Sequence, residues 1–141
     1  MSLYGLDTQA ATFRAAMAGQ RLHHAWLFVG PRGVGKASFA DYAARLLLGA
    51  DDDESQGAKL LAAGSHPDFR RLERLPNEKT GNLARNITVD QVRHLRALFA
   101  TSTAISNRRV IIIDSIDDME RGAANAVLKS LEEPPASTIF L

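Results

Sequence analysis

At 141 residues, 45% apolar and 23% charged, the chain has the length and balance of one ordinary folded domain. With no cysteine it can build neither a disulfide framework nor a thiolate metal site, and a net charge of +1 gives no bulk argument for nucleic acid or a membrane surface. No apolar run reaches membrane-spanning length and no signal-peptide pattern opens the sequence, which suits a cytoplasmic protein, and residues 1–3 read as an expression scar. The first predicted element is a helix over 8–18, with Ala10, Phe13, Ala16 and Met17 on one face and Gly19 as its stop. "AWLFV" (25–29) reads as a buried strand. A helix from Lys36 to Leu48 follows, with Phe39, Ala43, Leu46 and Leu47 inward. Residues 50–57 ("ADDDESQG") read as a mobile acidic surface loop, 68–73 ("DFRRLE") as a weakly alternating strand, and 74–86 as a loop. Thr88 and Gln91 form a capping-box signature, with Val92, Leu95 and Phe99 lining the helix that it opens. "RVIIID" (109–114) is a strand. The helix of 119–131 turns Met119, Ala123, Val127, Leu128 and Leu131 to the core and stops at Pro134 and Pro135. "ASTIFL" (136–141) is a last buried strand. Because it stops without a turn residue, the chain is expected to be a fragment.

Strands alternating with helices predict an α/β fold, a parallel sheet with helices on both faces. Ligands of such folds sit beyond the carboxyl ends of the strands.

One turn at such an end carries a motif. Gly30 and the pair Gly35-Lys36, four residues apart, match the phosphate-loop spacing, with Pro31, Arg32, Gly33 and Val34 between them. Glycines let backbone N–H groups turn inward around a phosphate, and the following helix aims its N-terminus at the same point. Lys36 adds a point charge. The next position normally offers a hydroxyl to Mg²⁺. Here it is Ala37, and Ser38 lies about 100° further around the helix.

A second motif ends in Asp114, delivered by four apolar residues to the sheet edge, where a carboxylate can hold Mg²⁺ through water. The position after it, where many ATPases place a glutamate to polarise water, is Ser115. Asp117 and Asp118 are read as caps of the next helix.

Four segments together carry a resemblance: "RLHHAWLFVGPRGVGKAS", "ITVDQVRHLRALFATS", "RRVIIIDSIDDM" and "ANAVLKSLEEPPASTIFL". They resemble the delta-prime family of the bacterial DNA polymerase III clamp loader, of the AAA+ class. The likeness spans residues 4 to 141, and "LKSLEEPP" (128–135) is its most specific piece. It implies a P-loop three-layer αβα sandwich with sheet order 5-1-4-3-2, four of the five core strands lying in this chain. It implies a rather rigid subunit of a loader that places the sliding clamp on primed DNA. Its expected partners are the gamma/tau and delta subunits, with the clamp indirectly and the DNA backbone through the assembly. The arginine finger that the family offers to a neighbour's ATP site would lie beyond Leu141. Many members carry a four-cysteine zinc module between the phosphate-loop helix and the second strand. This chain has no cysteine there, and His66 reads as a surface or capping residue. No zinc and no required cofactor are expected.

Ala37 and Ser115 favour a delta-prime-like subunit without ATPase activity, its degenerate loop (30–38, with Asp114) holding at most weakly bound ATP, ADP or an inorganic anion. The main alternative is an active gamma/tau-type motor. A small-molecule kinase is disfavoured by "LEEPP". The basic residues of 92–96 and 107–109 read as a solvated face, with DNA-backbone contact as the other reading.

Overall fold

The computed structural model describes residues 6–18, 24–28, 35–50, 52, 54–76, 79, 81–82, 86–101, 103–106, 108–114, 116–132 and 138–141. The elements, in chain order, are α1 (Asp7–Ala18), α2 (Lys36–Leu47), α3 (Gln56–Ala62), β1 (Phe69–Glu73), α4 (Val89–Phe99), β2 (Arg109–Asp114), α5 (Arg121–Glu132) and β3 (Thr138–Phe140). The three strands form a parallel sheet in the order β1-β2-β3. A single parallel bridge joins Ala25 to the outer side of β3 at Phe140. The four segments thus lie in the order that the family resemblance implies for its first four strands.

Strand β2 explains the layering. Its burial is continuous from Arg109 to Ile112, as a strand covered on both faces requires. Val110 and Ile112 point to one face, where they meet Phe13 of α1, Phe39 and Ala43 of α2, and Ala58 of α3. Ile111 points to the other, where it meets Val92 and Leu95 of α4 and Ala123 and Val127 of α5. Helices on both sides of a parallel sheet make the three-layer αβα architecture. On the first face the rings interlock edge-on: Trp26 on Phe13 at 5.1 Å, Phe13 on Phe39 at 6.3 Å, and Phe28 on Phe39 at 5.0 Å.

Several sequence expectations meet differences here. The 25–29 segment forms one bridge rather than a ladder, with Trp26 N–H donating to Phe140 O and Phe140 N–H to His24 O. Leu27 is 71% exposed. Among the described residues this segment has a strand partner on one side only, while Trp26 and Phe28 pack against one core cluster and Ala25 against the other. Val29 lies outside the described residues, as do Gly19, Pro134 and Pro135. The acidic loop is shorter than expected. Ala50 is fully buried, and Ser55 caps α3 by accepting the Ala58 N–H at 3.1 Å. Helix α5 begins at Arg121, because Asp117 and Asp118 lie inside a short 3-10 turn over Ile116–Asp118. Asp118 faces Arg74 at 3.7 Å, and the Glu120 carbonyl accepts the Ala124 N–H at 2.8 Å. Leu128 is half exposed instead of buried, and Ala126 takes the inward place. The capping box of α4 is present in both directions, Thr88 to Gln91 and back.

A candidate phosphate-site cleft with an arginine at its acidic wall

Gly35 closes the sequence motif and opens α2. Its φ of 98° lies in the left-handed region, which glycine reaches without the Cβ penalty of other residues. Its carbonyl accepts the Phe39 N–H at 2.9 Å and starts the helix. Lys36 and Ala37 therefore occupy the first turn, where unsatisfied N–H groups and the helix dipole favour an anion. Gly30, Pro31, Arg32, Gly33, Val34 and Ser115 lie outside the described residues.

Lys36, Ala37, Asp114 and Asp117 line one cleft of about 640 Å³, with Trp26 and Phe28 on its apolar wall. The structure so brings the described part of the phosphate motif and the acidic motif together across a sheet edge. Ala37 is exposed in this first turn and offers no side-chain oxygen. Ser38 is exposed and outside the cleft's lining.

Asp114 is also met from outside the cleft's lining, by a residue that the sequence reading missed. Arg71 of β1 donates to Asp114 Oδ2 at 3.2 Å and, through its other terminal nitrogen, to Asp41 of α2. The register explains the reach. Arg71 lies opposite Ile112, so Asp114, two residues on, is its diagonal neighbour on the same face. The signal in the sequence was an arginine sharing parity with Phe69 on a half-buried strand, hence turned toward the helices.

The opposite end of the sheet holds a second carboxylate. Asp68, just before β1, is 1% exposed. It accepts N–H bonds from Ala104 at 2.6 Å, Ile105 at 2.9 Å and Ser106 at 2.8 Å. Burial alone would raise its pKa. The three N–H bonds and nearby His66 outweigh that, and the carboxyl sits below its usual range. His66 is buried rather than on the surface, and its Nδ1 accepts the Asp68 N–H at 3.0 Å, a local capping role. Burial pushes its pKa down, against the pull of Asp68.

Among the described residues the basic segments are not uniformly exposed. Arg109 is buried and donates to the carbonyl and hydroxyl of Thr101, while Arg93 pairs with Asp90 one turn earlier on α4. Asn107 lies outside the described residues.

Comparison with known proteins fits this arrangement. A family model described as DNA polymerase III, delta subunit, matches residues 5–141. A delta' subunit of DNA polymerase III from Pseudomonas aeruginosa is 38% identical over 132 residues, 89% of this chain and 38% of that protein.

The chain belongs to the DNA polymerase III delta-prime and clamp-loader family.

A DNA polymerase III tau subunit from Bacillus subtilis is 32% identical over an alignment of 143 positions, 97% of this chain and 24% of that protein. Among solved structures, a gamma subunit-related protein of DNA polymerase III from Thermotoga maritima superposes with a TM-score of 0.50. Its identity is 23%, and the match covers 73% of this chain and 29% of that one. That likeness bears on the fold, which it shares. The chain spans roughly a quarter to two fifths of the length of these relatives.

Proposed function

We propose that this chain supplies the AAA+ portion of a delta-prime-type subunit of a bacterial clamp loader. In this reading it acts in the cytoplasm with gamma/tau and delta subunits to place the sliding clamp on primed DNA. Its own nucleotide site is degenerate: the loop over 30–36 holds an anion or a nucleotide weakly, and ATP is not hydrolysed. One observation carries the reading. The two groups that would meet a nucleotide-bound metal are an alanine, Ala37, and a carboxylate already occupied by a guanidinium, Asp114. Ser115, in the place of a water-orienting carboxylate, points the same way.

A gamma/tau-type motor remains the competing reading, favoured by the similarity to the tau subunit over 97% of the chain. Steady-state phosphate release separates the two once gamma/tau and delta subunits are added and a neighbour can supply the arginine finger. Lys36→Ala in this chain should leave that rate unchanged if its site is degenerate and lower it if it is a motor. The chain alone and an Ala37→Thr/Ser115→Glu variant should both stay near background, because an isolated subunit receives no arginine finger, an element worth on the order of 10³ to 10⁵ in rate. Lys36-dependent turnover of the unmodified chain at motor-like rates would establish the competing reading instead.

A further inference from the structure

A magnesium ion in a phosphate site takes six oxygens in near-octahedral geometry, usually from one or two carboxylates, the ligand's phosphates and water. The described walls of this cleft meet that demand poorly: besides Asp114, only the exposed Asp117 brings a carboxylate. The first turn of α2 offers a methyl group at Ala37, and the Asp114 carboxylate accepts from Arg71 at 3.2 Å. Arg71 is held from a second side by Asp41, whose helix begins at the phosphate motif.

We propose that Arg71 is the resident cation at Asp114: from outside the cleft's lining its guanidinium engages the carboxylate that a divalent metal would need, so that phosphate groups bind in the cleft without one. The chemistry favours such a substitution. A guanidinium is always protonated, planar and forked, and two carboxylates on different elements fix both of its arms. A divalent ion approaching Asp114 must displace a cation tethered by the backbone of β1. It would gain there Asp114 and, on the same cleft, Asp117, with no side-chain hydroxyl at Ala37 of α2. At the start of α2, N–H groups and the helix dipole supply a positive field for a phosphate without a metal. The proposal deepens the reading of this cleft as a degenerate phosphate site and rests on that reading for the ligand. The competition at Asp114 rests on the ion pairs alone.

The test is titration of the full chain with Mn²⁺ alone, followed by calorimetry and by the paramagnetic resonance of the free ion. The unmodified chain and Asp114→Asn should bind Mn²⁺ equally weakly, because Asp114 is already engaged. Arg71→Leu should bind it at least tenfold more tightly, and adding Asp114→Asn to that variant should abolish the gain. Tighter binding by the unmodified chain than by Asp114→Asn would overturn the proposal. So would a folded Arg71→Leu protein without the gain. Should Arg71→Leu fail to fold, the comparison of the unmodified chain with Asp114→Asn decides alone. A second readout uses inorganic phosphate as the probe: its affinity for the unmodified chain should be the same, within twofold, in Mg²⁺ and in EDTA. A tenfold preference for Mg²⁺ would overturn the proposal. Neither readout measures turnover, so a failed prediction of ATPase silence and a failed prediction of metal independence are distinguishable.

Discussion

Two aspartates stand at opposite ends of the sheet, and the chain holds them in opposite ways. Asp68, at the amino end of β1, is buried and bonded to three consecutive backbone N–H groups. Asp114, at the carboxyl end of β2, has a side chain 40% exposed and is bonded to one arginine. A carboxylate held by main chain is fixed for as long as the fold exists, since its partners cannot rotate away. One held by a side chain at a rim can exchange partners. In the proposed reading the amino end of the sheet serves stability and the carboxyl end recognition, in line with the general placement of ligands in open α/β sheets.

The largest effect that would break this contrast is at Asp68. Replacing it with alanine strands three N–H groups around a buried space, and each unsatisfied donor costs on the order of 1–3 kcal/mol. Asp68→Ala should lose about 3–5 kcal/mol in urea unfolding, a large share of a small domain's stability. A loss under about 1 kcal/mol would mean that the 104–106 turn is held by something else.

Acid should expose the same end of the sheet, in two stages. The folded pKa of His66 is lowered, so between that value and 6.5 the unfolded chain takes up a proton that the folded chain refuses. Stability should therefore fall as pH drops below 6.5, and His66→Gln should flatten that segment. The folded pKa of Asp68 is also lowered, so its contribution is fully present above 3.8 and is lost as pH falls through the folded value. Asp68→Asn should remove this second, more acidic stage. Unfolding midpoints across pH 3 to 8 would check both, and a flat profile above pH 4 would argue against a buried neutral His66.

The smallest stability effect should come from the rim. Arg71 and Asp114 are partly exposed, and such pairs typically contribute about 0–1 kcal/mol. Arg71→Leu should thus shift the urea midpoint little while changing metal binding. A loss as large as that of Asp68→Ala would make Arg71 a structural brace and erase the distinction between the two ends.

What the sequence disclosed about the fold was local. The capping box at Thr88 and Gln91 and the inward face of α2 depend on residues within one or two turns, and both were legible. Helix α3 was not, because its seven residues follow an acidic run and, of its four apolar residues, only Ala58 and Leu61 pack against the core. The hint available was Ser55, a good cap three residues ahead of Ala58. Arg109 was read as surface charge because nothing local reveals that Thr101 would satisfy its guanidinium. The site was half legible. Lys36, Ala37 and Asp114 stood out by motif, whereas Arg71 meets Asp114 across 43 residues of chain and only through a parallel register. The bonds from Asp68 to residues 104–106 are equally non-local.

The ring cluster at the foot of the cleft has an optical consequence. Trp26 is the chain's single tryptophan, packed edge-on against Phe13, and it also lines the cleft that contains Lys36. Its indole is thus an intrinsic fluorophore within the candidate site. An anion settling at the start of α2 changes the local field on that ring, so emission intensity and wavelength can report occupancy without a label.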